Sequence, residues 1–266
     1  MNTQFKLPSS WFARTSAGQP TIGTWMTLPD PSIAEILSAS GFDWIVIDNE
    51  HSPLAQGQIE ELIRVISLYE LPVLVRVGAN DSLLIKYAMD SGASGVIVPM
   101  VNNSQDAVNA VNAVKYPPNG ERGVGLARAQ GFGIRFEHYK EWVQASSTVI
   151  VQIEHIEAIE NLEEIVSVKG VDGFIVGPYD LSASLAKPGD FNNDGFLLAM
   201  KKVGRILESS RKPGGFHVVY PDVGRSKALL AEGYSFLALG VDFIFLGEMC
   251  RRSVDSLRDS IRDLQP

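Results

Sequence analysis

Two carboxylates, an arginine and a histidine stand at the ends of short apolar runs in this chain, where charged side chains can leave a core and meet at an opening. Glu154 closes the run Val149-Ile-Val-Gln-Ile-Glu154, and Asp180 follows in Phe174-Ile-Val-Gly-Pro-Tyr-Asp180-Leu-Ser182. Brought together, the two acids repel unless a cation sits between them. All-oxygen ligation favours Mg²⁺ or Mn²⁺, with Co²⁺ as a further candidate, over a zinc held by Cys and His. Two protein ligands leave positions open for water and substrate. Such an ion can chelate a 2-oxo acid through its carboxylate and keto oxygens, polarise the carbonyl and stabilise the enolate formed when a carbon–carbon bond breaks. Arg76, which ends Val75-Arg76, can neutralise the same oxyanion. His51, in Ile47-Asp48-Asn-Glu50-His51, is the natural proton carrier, because an imidazole titrates at about 6.5, near working pH. A lone strand-end Asp is commonly a helix cap and a lone Arg a surface ion pair, but their joint placement favours a site. Asp48 and Glu50 flank the histidine and suit either water or metal positioning or a structural role.

Elements that bring these ends together can be read from the apolar pattern. Strand candidates are residues 21–28, 44–48, 72–77, 95–101, 148–154, 173–177, 215–220 and 236–240. Between them lie amphipathic patterns such as Ile59-Leu62-Ile63-Ile66 and Leu83-Leu84-Tyr87-Ala88, several followed by a helix-stopping glycine such as Gly41, Gly92 or Gly233. Continuous apolar strands alternating with helices imply a parallel sheet. Eight such units imply an α/β protein with a closed (β/α)8 TIM barrel, whose chemistry gathers at the carboxyl edge. A doubly wound open sheet is the alternative, weakened because no glycine-rich dinucleotide fingerprint follows the first strand. The long stretch Tyr116 to Gly133 between the fourth and fifth strands is expected to be a lid over the mouth or a solvated excursion.

Aldol chemistry can also run through a lysine Schiff base. Of the ten lysines none ends an expected strand; Lys86 lies in a helix, while Lys169 and Lys212 precede strands. The metal route is therefore favoured.

With 266 residues, 45% of them hydrophobic, the chain suits one large core, a single barrel domain over 1–266. A formal charge of −8 argues against nucleic acid or an anionic membrane as partner, since both need clustered positive charge. Neither an amino-terminal leader nor an apolar run of roughly 18 residues is visible, so the expectation is a soluble, cytoplasmic enzyme. The single cysteine, Cys250, excludes an internal disulfide and is expected to pack on a late helix beside Leu246 and Met249. His155 follows Glu154 and should face away from it, and His138 should be at the surface.

The segments Thr21-Ile-Gly-Thr-Trp25, Phe42-Asp-Trp-Ile-Val-Ile-Asp-Asn-Glu-His51, Val75-Arg76-Val77, Tyr116-Pro-Pro-Asn-Gly-Glu-Arg-Gly-Val-Gly125, Val151-Gln-Ile-Glu154, Gly170-Val-Asp-Gly173, Gly177-Pro-Tyr-Asp-Leu-Ser182 and Gly240-Val-Asp242 together resemble the HpcH/HpaI aldolases. These are class II pyruvate aldolases that cleave 2-keto-3-deoxy sugar acids and related hydroxy-oxo acids. The resemblance implies a phosphoenolpyruvate/pyruvate-type barrel, a divalent cation on Glu154 and Asp180, His51 as proton acceptor and Arg76 as enolate stabiliser. It also implies that Asp90, in its own chain or from a neighbouring subunit, raises the basicity of His51. Gln152 and the backbone at Tyr179 and Asp180 would contact the pyruvate moiety. A homo-oligomer is implied as well, a trimer or a hexamer of two trimers with an exchanged C-terminal helix. Asn49, Tyr179 and His217 depart from residues common in that family, Gly, Ala or Ser, and an aliphatic residue respectively. The metal and enolate machinery stays intact, and the aldehyde partner is left open. Small molecules, a 2-oxo acid and an aldehyde, are thus the expected partners. An oxaloacetate-type decarboxylase or citrate-lyase-like lyase on the same core is the rival enzyme, and a catalytically silent barrel the rival of another class.

Overall fold

The computed structural model describes residues 11–210 and 212–262; the amino-terminal stretch read above for a leader lies outside them. Eight strands are present: β1 Thr21–Met26, β2 Trp44–Asp48, β3 Val73–Arg76, β4 Gly95–Val98, β5 Thr148–Ile153, β6 Gly173–Val176, β7 Gly214–Val218 and β8 Phe236–Val241. All pair in parallel with their sequence neighbours, and β8 returns to β1 to close the barrel. The open-sheet alternative is thereby excluded. Helices α1 Trp11–Ser16, α2 Pro31–Ser38, α3 Gln56–Leu68, α4 Ser82–Ser91, α5 Ser104–Val114 and α6 Phe136–Ser146 precede β5. After it come α7 Ile156–Glu160, α8 Leu162–Ser167, α9 Pro178–Ser184, α10 Asp194–Ser209, α11 Val223–Ala231 and α12 Asp242–Arg262. Among the described residues, no helix is long and apolar enough to cross a membrane.

Helix ends follow local chemistry. Asp81, Asn103, Asn193 and Asp222 each accept a first-turn backbone N–H at the starts of α4, α5, α10 and α11. Gly92 ends α4 at φ 102°, a conformation that costs a residue with a Cβ.

Strand alternation sorts the core into two shells. Outward residues such as Ile45, Val73, Val96, Val149, Val176 and Val218 pack beneath the helices. Inward residues Trp44, Val46, Leu74, Ile97, Ile150, Ile175, Phe236 and Ala238 fill the barrel, and Trp11 and Phe12 of α1 plug its amino end. A Cβ on Gly215 would fall 2.1 Å from the Phe236 ring, so the glycine makes room for a large aromatic inside the barrel. Continuing the inward phase by two residues puts Trp25, Asp48, Arg76, Gln152 and His217 in the upper layer, at the carboxyl mouth.

Two expectations are corrected. The stretch 116–133 is not a lid. Arg128 donates to Ser91 O at 2.7 Å, and Glu121 N and Arg122 N return to Asn112 O and Lys115 O, all at the helix ends that feed the next strands. The segment therefore packs at the amino end of the barrel, away from the mouth. Cys250 does lie on the last helix but is exposed, because Asp242 and Ile244 are the buried residues of α12 and both belong to its start.

Candidate active site

Parallel register sets Asp48 on β2 beside Arg76 on β3. The guanidinium makes a two-pronged contact with that carboxylate, Nε to Oδ1 at 2.9 Å and Nη2 to Oδ2 at 2.8 Å. Its Nη1 lies 2.9 Å from Glu50 Oε2 and 3.5 Å from Gln152 Oε1, and its Cζ sits 4.2 Å from the centroid of Trp25. Asp48 also accepts the backbone N–H groups of Glu50 and His51 at 3.0 and 3.3 Å, which sets the turn carrying both residues. Burial alone would raise the Asp48 pKa, but the Arg76 hydrogen bonds and charge outweigh it and hold the carboxyl below its ordinary value. Asp48 is thus the group that aims the arginine.

Glu154 is 2% exposed. One carboxylate oxygen accepts from Met100 N at 2.7 Å and the other from the Gln152 amide. Burial first, then the charge of Glu50, and more weakly that of Asp180, push its pKa up to about 7 against those hydrogen bonds. Glu50 is raised as well, by burial and by Asp48 and Asp180, with Arg76 opposing. Met100 holds φ 52°, a strained left-handed conformation that aims its N–H at Glu154. A Cβ on Gly177 would come within 3.1 Å of the Glu154 side chain, so a glycine there lets β6 pass directly over the acid.

Beyond Gly177 the chain enters α9, which places Asp180 in the first turn, exposed at the mouth. Its charge acts on both Glu154 and Glu50, so three carboxylates share one electrostatic neighbourhood. The backbone N–H groups of Tyr179 and Asp180 belong to this first turn, which offers them no intrahelical acceptor. The Tyr179 ring is exposed and meets Phe191 edge-on at 5.1 Å. His51 is largely exposed, with Nε2 3.9 Å from Glu50 Oε2.

The mouth therefore unites Glu154, Asp180, Gln152 and Arg76, with His51 on its rim. Asp90 is apart. It ends α4 on the amino side, where buried Arg122 donates to it at 2.5 Å while stacking 4.7 Å over Tyr116. Within one chain it does not reach His51, so any action on that histidine must come from another copy.

A desolvated acid with two more carboxylates nearby is short of positive charge, and its donors are all oxygen. That set fits a hard divalent cation. Among the described residues no three His, Cys, Asp or Glu side chains form a cage by themselves, which suits an ion that keeps water and substrate as further ligands. Buried Lys115, the residue nearest to a Schiff-base candidate in character, spends its ammonium on Val143 O, Ser147 O and Ser147 Oγ, each at 2.9 Å, at the amino end of the barrel.

Residue spacing did not reveal the amide of Met100, the clamp on Arg76 or the Trp25 platform. The second had a readable signal: aligning the two apolar runs in parallel places Asp48 opposite Arg76.

A closed parallel barrel with acids, an amide and a clamped arginine at its carboxyl mouth defines a (β/α)8 barrel enzyme. The model of the HpcH/HpaI aldolase/citrate lyase family matches residues 21–247, and the chain belongs to that family. It is 37% identical over 243 residues to a pyruvate aldolase of Rhizobium etli, covering 91% of this chain and 94% of that one. It is likewise 37% identical over 231 residues to the 2-keto-3-deoxy-L-rhamnonate aldolase of Escherichia coli K12, covering 86% and 85%. A crystal structure of an HpcH/HpaI aldolase/citrate lyase family protein from Burkholderia cenocepacia superposes with a TM-score of 0.88 at 32% identity, covering 94% and 99%.

Proposed function

We propose that the protein is a divalent-metal-dependent aldolase that reversibly cleaves a 4-hydroxy-2-oxo acid, such as a 2-keto-3-deoxy sugar acid, to pyruvate and an aldehyde. The observation that carries the reading is the buried Glu154, pushed up to about 7 by burial and by Glu50 and Asp180, beside a guanidinium held in place by Asp48. Names of relatives at 37% identity support it.

Glu154 and Asp180 would hold the cation, which when bound supplies Lewis-acid polarisation of the keto group. Arg76 neutralises charge that develops on the keto oxygen as the carbon–carbon bond breaks. Asp48 and Trp25 fix the guanidinium before substrate arrives, so little reorganisation is needed at that moment. The Gln152 amide, held between Arg76 and Glu154, orients the carboxylate end of the oxo acid together with the free N–H groups of Tyr179 and Asp180. His51 takes the proton of the 4-hydroxyl during cleavage and returns it during condensation. Its exposed place on the rim suits exchange with solvent.

The test is pyruvate release from a panel of 4-hydroxy-2-oxo acids in the presence of Mg²⁺ or Mn²⁺. Pyruvate and aldehyde in equal amounts support the reading; carbon dioxide without aldehyde overturns it in favour of decarboxylation. In the same assay His51→Asn should lower kcat by about a hundredfold or more while leaving KM within a small factor. An unchanged kcat would remove His51 from the mechanism.

A further inference from the structure

His217 is not used by the reaction as derived above. It lies on β7 with the inward phase, since Phe216 and Val218 on either side pack outward under the helices. The barrel below is filled, so its partial exposure opens to the mouth. Its imidazole stacks on Trp25, centroids 4.8 Å apart and planes 19° apart, on the same indole whose centroid is 4.2 Å from Arg76 Cζ. Its Nε2 is 3.3 Å from Gly240 O. A carbonyl only accepts, so Nε2 carries the proton and Nδ1 of the neutral ring is left as an acceptor. Burial, reinforced by the Arg76 charge, drops the pKa to about 4, which keeps the ring neutral at working pH. Among the described residues nothing donates to Nδ1.

The imidazole therefore carries an unused acceptor, Nδ1, on the same indole that supports the arginine assigned to the keto oxygen. One indole separates His217 from Arg76, so what His217 meets belongs to the 2-oxo acid itself rather than to the distant end of the aldehyde. A methyl group there would leave Nδ1 unsatisfied. A carboxylate would face the Nδ1 lone pair and the nearby charge of Asp48. A hydroxyl donates to Nδ1 and carries no charge into the site.

Resting on the aldolase reading, we propose that His217 is a specificity residue that recognises a hydroxyl on C3 of the 2-oxo acid, so that the carbon nucleophile this enzyme prefers is a 3-hydroxy-2-oxo acid. The reaction balances as an aldol addition: C3 loses a proton, the new bond joins C3 to the aldehyde carbon, and the aldehyde oxygen takes up a proton. No oxidant or reductant enters.

The first half of that reaction can be read without knowing the aldehyde. Exchange of C3 protons for deuterium in D₂O with Mg²⁺ is followed by NMR for pyruvate, 2-oxobutanoate and 3-hydroxypyruvate, after subtraction of the enzyme-free rate. 2-Oxobutanoate places a methyl where 3-hydroxypyruvate places a hydroxyl. Wild-type protein should exchange 3-hydroxypyruvate at least about tenfold faster than 2-oxobutanoate, measured as kcat/KM. His217→Leu should remove or reverse that ratio while exchange of pyruvate stays within a few-fold. His217→Asn, whose amide oxygen can take the place of Nδ1, should recover part of it. Equal preference in wild type, or parallel loss on all three acids in His217→Leu, overturns the inference and leaves the aldolase reading standing. No catalysed exchange of any acid by wild type overturns both.

Discussion

Glu154→Gln and Asp180→Asn are each expected to lower kcat for cleavage by about a thousandfold or more, because on the proposed reading each removes one of the two anionic oxygen donors that would hold the cation. The two variants should differ in stability. Glu154 is buried and its folded-state pKa lies above the ordinary carboxylate value. Its ionised form is therefore disfavoured by folding, and the metal-free protein loses stability as pH rises from the ordinary value through about 7. Removing that charge cancels the loss. Metal-free Glu154→Gln should melt at the wild-type temperature or higher above pH 7, although it is inactive. Asp180 is exposed, and its replacement should move the melting temperature little. Calorimetry beside the cleavage assay separates these outcomes. An inactive Glu154→Gln that also melts far below wild type would point to a structural role for the acid.

Arg76→Ala carries the second large effect, and it acts on two properties together. Loss of the oxyanion partner should reduce kcat by about a hundredfold to a thousandfold. Stability should fall by about 3–5 kcal/mol, since Asp48, whose side chain is 3% exposed, is left as an uncompensated buried charge. The Asp48 pKa is lowered in the folded protein, so the pair contributes fully above the ordinary carboxylate value and is lost only as pH falls through the depressed one. Arg76→Lys keeps the charge but not the two-pronged geometry, and should recover more stability than turnover. The double variant Asp48→Asn with Arg76→Ala removes the stranded charge. It should regain much of the stability and almost none of the activity. Recovery of both would mean that the arginine only supports the fold.

Much of this arrangement was legible because a parallel barrel writes itself as repeating apolar runs, and such runs end where charge can emerge. The expected Trp44–Asp48 strand coincides with the observed β2, and the other seven differ mainly by one to three residues at their ends. The expected ends Val101 and Tyr220 overrun the observed strands because apolar residues just past the last ladder bond look no different from those inside it. Glu154, Asp180, Arg76 and Gln152 converge because strand order and inward phase leave few other places for them. What stayed hidden depends on the third dimension. Met100 carries no sign of its positive φ or of the amide it aims at Glu154. The length of the stretch 116–133 suggests a lid or a solvated excursion, whereas the anchors that fix it at the amino end, the Asp90 carboxylate and Ser91 O, lie side by side at the end of α4, well upstream of it. Asp90 shows the same limit: residue type and spacing give a carboxylate but not the end of the barrel on which it lies.

The measurement that bears most directly on the shared cation is Mn²⁺ binding, followed by calorimetry or electron paramagnetic resonance on rigorously chelated protein, with cleavage assayed in parallel. One ion should bind per chain, binding should be lost in both Glu154→Gln and Asp180→Asn, and activity should vanish on chelation and return with Mg²⁺, Mn²⁺ or Co²⁺. Full activity in metal-free protein, or Mn²⁺ binding that both substitutions leave intact, would contradict the account.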